Sequence, residues 1–150
     1  MDTMTNVLKY HNQKEVFITD IQLLRDMLPD EQEKFTNDLG YDGSQFKTVI
    51  VLKDKSSVRS SFTLDELANK MPLVNIGKAK NEARRFVVAS NMKPAEKFTK
   101  EDKEEGIANG LDLSRTFRSR VNFYYEIPPV LSLRTKDQLD NAHDKSLGLP

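Results

Sequence analysis

Hydrophobic positions along the chain change period several times, and each change predicts an element. Residues 117–127 read F-R-S-R-V-N-F-Y-Y-E-I, a period of two that predicts a strand. Arg118, Arg120, Asn122 and Tyr124 fall on one side of it, and Phe117, Val121, Phe123, Tyr125 and Ile127 on an apolar side. Residues 46–52 are β-branched and nearly all apolar, as in a strand covered on both faces. The polar turn at 54–57 lets residues 58–62 pair back as a hairpin.

Elsewhere the spacing is helical. Thr19-Asp20-Ile21-Gln22 has the form of a capping box, and Ile21, Leu24, Met27 and Leu28 share a face, predicting a helix over 20–28. Pro29 ends or kinks it, and 30–39 resumes with Pro29 in the first turn and Gly40 past the end. A second capping box, Thr63-Leu64-Asp65-Glu66, opens a helix that runs to Lys70 and closes at Pro72. Asn75 then caps a helix over 76–90. Its inner face is Ile76, Ala79, Ala83, Phe86 and Val87, and its outer side is Lys78, Lys80, Asn81, Arg84 and Arg85. The charge-dense 97–105 stretch reads as a solvated helix or mobile loop.

The fold expected is a small single α+β domain over 15–130, with three to four helices and a small antiparallel sheet. A flexible segment, 1–14, precedes it. Beyond Pro128-Pro129, spaced leucines without period mark 131–150 as a peripheral or disordered tail. The element order is that of a winged helix-turn-helix, with 76–90 as recognition helix and 115–127 as wing. Pro72 stands where such a motif favours a glycine near its turn, that turn is a residue too long, and 93–105 sits where the wing should begin.

Composition narrows the function more than it names it. A chain of 150 residues can bury about 68–70% of its unfolded surface in one core. The absence of cysteine excludes thiolate metal sites, iron–sulfur clusters, thiol nucleophiles and disulfides, and a cytoplasmic setting follows as the natural expectation. No apolar run approaches the eighteen or so residues of a membrane span, and the N-terminus lacks a signal-peptide pattern. Net charge is zero, but residues 77–120 carry +4 between flanks of −3 and −1.

Enzyme readings lack parts. The two histidines, His11 and His143, lie in terminal segments, and the carboxylates at 30–33 and 102–105 sit in helical runs that read as solvated faces. None of the six glycines belongs to a phosphate-cradling loop, and Lys53-Asp54-Lys55 fails the acid-x-lysine spacing of a strand-borne nuclease site. No catalytic residue, metal, cofactor or membrane partner is expected.

Binding is the remaining class. Lys78, Lys80, Arg84 and Arg85 on the expected helix, with Arg115, Arg118 and Arg120 on or beside the strand, are candidate phosphate contacts for DNA or RNA, and Tyr124 a stacking residue. The plainer alternative makes them solvated charges and cross-strand ion pairs. A second class is a protein-interaction module, an assembly, adaptor or inhibitory protein whose tail docks a partner, with homodimerisation open. A compact cysteine-free chain of this kind suits a bacterial or phage accessory factor.

Overall fold

A computed structural model describes residues 7–9, 15–39, 43–79, 82–108 and 117–148. Along it run β1 (Val7–Lys9), β2 (Glu15–Phe17), β3 (Ile21–Asp26), α1 (Pro29–Leu39), β4 (Thr48–Leu52), β5 (Ser57–Ser60) and α2 (Leu64–Lys70). There follow β6 (Leu73–Asn75), β7 (Arg85–Val88), β8 (Glu96–Lys97), α3 (Lys100–Ala108), β9 (Ser119–Val121), β10 (Val130–Ser132) and α4 (Lys136–Ser146). An antiparallel five-stranded sheet in the order β5-β4-β3-β7-β6 and a three-stranded one in the order β10-β9-β8 make the fold α+β.

Several expectations match. α1 opens at Pro29, β4 and β5 form the expected hairpin, and α2 carries both reciprocal bonds of its capping box, each 3.1 Å. The charge-dense stretch is α3, entered through a reciprocal Thr99–Asp102 cap.

The helix expected over 20–28 is instead β3, the centre of the larger sheet. Its register slips between Ile21↔Leu52 and Leu23↔Val51, leaving Gln22 unmatched as the extra residue of a bulge. The bulge brings Ile21 and Leu24 into one core cluster although they are three apart. A strand thereby imitates helical spacing. Gln22, also buried, donates its side-chain amide to Pro128 O at 2.9 Å.

The helix expected over 76–90 is absent as well, and with it the recognition helix of a winged motif. Asn75 ends β6; the chain then makes a loop, returns as β7 and closes in a 3-10 turn at Ala89–Asn91. Ile76 N donates to Arg85 O and Ala79 N to Ala83 O, extending the β6–β7 ladder toward its tip. Ile76, Ala83 and Val87 are buried as expected, but they reach the core from loop and strand. The Phe86-Val87-Val88 run favours an extended backbone. Gly77 turns at φ 95°, where an added Cβ would stand 2.9 Å from Leu133 Cβ.

Within the stretch expected to be a peripheral or disordered tail, residues 131–148 carry regular elements. β10 pairs with β9, and α4 begins at a capping box in which Thr135 and Gln138 exchange hydrogen bonds. Leu139, fully buried, anchors α4 in the core, and it shares no period with Leu131 because one belongs to a helix and the other to a strand. At the other end, β1, within the 1–14 segment expected to be flexible, pairs with β2 of the expected domain. The rest of 1–14, His11 included, lies outside the described residues.

The larger sheet packs on both faces. Ile21, Leu24, Ile50 and Val88 meet Leu64 and Leu67 of α2 on one. On the other, Val74, Val87 and the partly buried Leu23 meet Val121, Phe123, Ile127 and Leu139 from the smaller sheet and α4.

Candidate binding surface

Alternation along β9 places Ser119, Val121 and Phe123 inward, while Arg118 and Tyr124 are exposed. The strand stops sooner than expected: after the Met92↔Phe123 bridge the chain turns, with Tyr125 at φ 62° and Glu126 at φ 61°. Tyr125 accordingly is 53% exposed and off the apolar side to which simple alternation assigns it.

Most of the expected phosphate contacts are engaged within the protein. Arg84 forks onto Asp26, Nε to Oδ2 and Nη2 to Oδ1 at 3.0 Å each, its amide reaches Oδ2 at 2.8 Å, and Nη1 meets Asp65 at 3.2 Å. Burial pushes the Asp26 carboxyl up, but the bonds from the Arg84 side chain and amide outweigh it and hold Asp26 below its ordinary value; Arg84 is raised by the same partner. Arg85 donates to the carbonyls of Ile76, Gly77 and Leu131. Arg120 pairs across the strands with Glu96 and, at 2.9 Å, with Asp102 from α3. Lys78 is exposed beside Glu82 at 3.6 Å.

These side chains therefore form no continuous basic face. Lys80 and Arg115 lie outside the described residues. Arg118 is the exception: exposed, with no side-chain partner among the described residues.

Sequence reasoning missed two groups. Because β3 reads as a helix, nothing in the sequence places Arg25 directly across from Arg85, nor in one row with Val49 and Arg59. Arg25 forks onto Glu31 at 2.7 and 2.8 Å, which with the Leu28 amide lowers the Glu31 pKa against its burial. The other group surrounds Tyr124. Its ring lies 6.3 Å from that of Tyr125, edge to face, and Lys93 Nζ is 5.4 Å from its centroid. A Met-Lys-Pro triplet in sequence carries no signal for this contact.

The aromatic turn is braced from beneath. Tyr124 N donates to Asn91 O at 2.9 Å, Lys93 N to Asn122 O at 2.9 Å, and the buried Asn91 side chain reaches Ile18 O at 2.8 Å. Phe17, next to Ile18, is 52% exposed. Two consecutive non-glycine residues in the left-handed region cost about 1 kcal/mol each. The turn thus holds two large rings in water on a left-handed backbone.

No protein-family model matches the chain, and neither does any curated protein or solved structure. Among the described residues, no helix is long and apolar enough to cross a membrane, and no group of three or more His, Asp or Glu could hold a metal ion.

Proposed function

We propose that the protein is a non-enzymatic nucleic-acid-binding accessory protein of the cytoplasm, of a bacterial or phage kind, that engages a single strand at the Tyr124–Tyr125 turn. The observation that carries this reading is the exposed tyrosine pair with Lys93 over one ring. Every base has a face to offer an aromatic ring, and each such stack contributes about 1–3 kcal/mol. Lys93 supplies a phosphate contact beside the rings, and Arg118 with Lys97 supplies two more at the other end of the β8–β9 pair. Arg84, Arg85 and Arg120 drop out of the contact set, since binding through them would break bonds that hold the fold.

Fluorescence anisotropy of labelled single- and double-stranded DNA and RNA tests the proposal. Three phosphate contacts on a single strand give a log–log salt slope near −2, so affinity should weaken about 20-fold between roughly 50 and 200 mM salt. Tyr124→Ala should weaken binding further, and Arg84→Ala should leave it unchanged. Absence of binding at the lower salt retires the reading.

A protein partner is the second reading, favoured by Phe17, whose exposed ring adds apolar area near the turn without adding charge. Partner binding with an apolar centre would respond weakly to salt, which separates the two.

A further inference from the structure

Beyond the aromatic turn, the β8–β9 pair ends at a cleft that faces the first turn of α4. Lys97, Phe98, Arg118, Thr135, Lys136 and Asp137 line it, and its volume is 440 Å³. We propose that this cleft binds a phosphate monoester carried on a planar organic body, of the nucleotide class.

Charge is the first argument. Lys97 and Arg118 are exposed, and neither side chain has an ion pair or hydrogen-bond partner among the described residues. Arg84, Arg85 and Arg120 each find partners, and so do Arg25 and Lys136, the last with Asp140. Two cations that no partner engages thus line one concavity, in which Asp137 is the single carboxylate. Their backbones fix the approach: Arg118 N donates to Ser132 O at 2.9 Å and Phe98 N to Arg118 O at 3.2 Å, so both residues ride on hydrogen-bonded strands.

Shape is the second. The cleft lies within the range of about 300–1,000 Å³ typical of small-molecule sites, and so has room for more than a bare anion. Phe98 supplies an aromatic wall and is itself backed by Phe117, 6.2 Å away between ring centres. Asp137 provides an acceptor opposite the cations for a hydroxyl or amine of the organic part.

The cleft does not depend on strand binding at the tyrosine turn, since a free mononucleotide would fill it with that turn idle. Amide chemical-shift titrations of the full chain with adenosine monophosphate, inorganic phosphate and adenosine test it. The monophosphate should move the amides of Lys97, Phe98, Arg118 and Asp137 and saturate at lower concentration than inorganic phosphate, while adenosine leaves them in place. Replacing Arg118 by Gln should weaken the monophosphate about tenfold, as expected for the loss of one charge-assisted contact, with the rest of the spectrum unmoved. Tyr124→Ala should leave this titration unchanged even if it abolishes strand binding. An absence of shifts, equal affinity for adenosine or for inorganic phosphate, or undiminished binding by a chain carrying both Lys97→Gln and Arg118→Gln would overturn the assignment.

Discussion

Arg84 and Arg118 look alike in the sequence, each a basic residue one step from an aromatic or second basic neighbour, yet the two sheets use them in opposite ways. At the larger sheet, Arg84 makes a fork with Asp26 from 58 positions away and Arg25 does so with Glu31. At the smaller one, Arg118 and Lys97 face solvent across a cleft. An arginine thus belongs to the fold when topology delivers a carboxylate to it, and becomes available to a ligand when topology does not.

The comparison holds only if the smaller sheet is as firmly built as the larger, and the strongest test of that is Leu139→Ala. Truncating this fully buried side chain should cost about 3 kcal/mol, read as a lower urea midpoint with unchanged slope. A loss below about 0.5 kcal/mol, ordinary for surface substitutions, would mean that α4 is a peripheral attachment.

The arginines themselves come next. Arg84→Ala strips Asp26 of its fork and should cost about 1–2 kcal/mol, discounted because the Arg84 side chain is 37% exposed. Arg118→Ala should stay within about 0.5 kcal/mol of the parent. Equal costs for the two would erase the distinction between them.

Acid should act on both regions: at the smaller sheet, burial pushes the Asp102 carboxyl up, but its bonds from Thr99 and Arg120 outweigh it and hold it below its ordinary value. Folding lowers the pKa of Asp26 and Glu31 below their ordinary values of 3.8 and 4.5. The stability these carboxylates contribute is therefore complete above those values and is lost as pH falls through the depressed, folded-state ones. Unfolding free energy measured from about pH 5 down to about pH 3 should fall for the parent and for Arg118→Ala alike, and more gently for Arg84→Ala, which has already forfeited the Asp26 share. The smallest effect concerns the turn. Glu126→Gly relaxes one left-handed residue and should stabilise the protein by about 0.5 kcal/mol, while leaving Tyr124 in place to bind.

What could be read without coordinates follows a physical line. Pro29, the Thr63–Glu66 capping box and the β-branched run in β4 are local signals, and each marks its element. The errors arise where a long-range partner decides the outcome. Ile21 and Leu24 have helical spacing because of a bulge, and only pairing with β4 and β7 reveals it. Ile76, Ala83 and Val87 do face the core, but along two strands and a hairpin tip. The same limit governs the candidate surface. Alternation correctly sends Arg118, Arg120 and Tyr124 outward, whereas Glu96 and Asp102, which claim Arg120, come from separate elements. The convergence of Lys97 and Arg118 on α4 depends on a helix that the spaced leucines did not disclose.

The central position of β3 has a consequence for how the molecule is assembled. Leu24 pairs on one side with Ile50, nearby in the chain, and on the other with Phe86, much farther along. Local pairing lets β3, β4 and β5 meet early, whereas β7 must close a longer loop before it can dock. Until it does, the strand destined for the middle of the sheet is an open edge with apolar residues on it, a template for a strand from another chain. Crowded synthesis or partial unfolding that frees β7 should therefore favour intermolecular strand addition over simple loss of structure, and the β6–β7 hairpin is the guard against it.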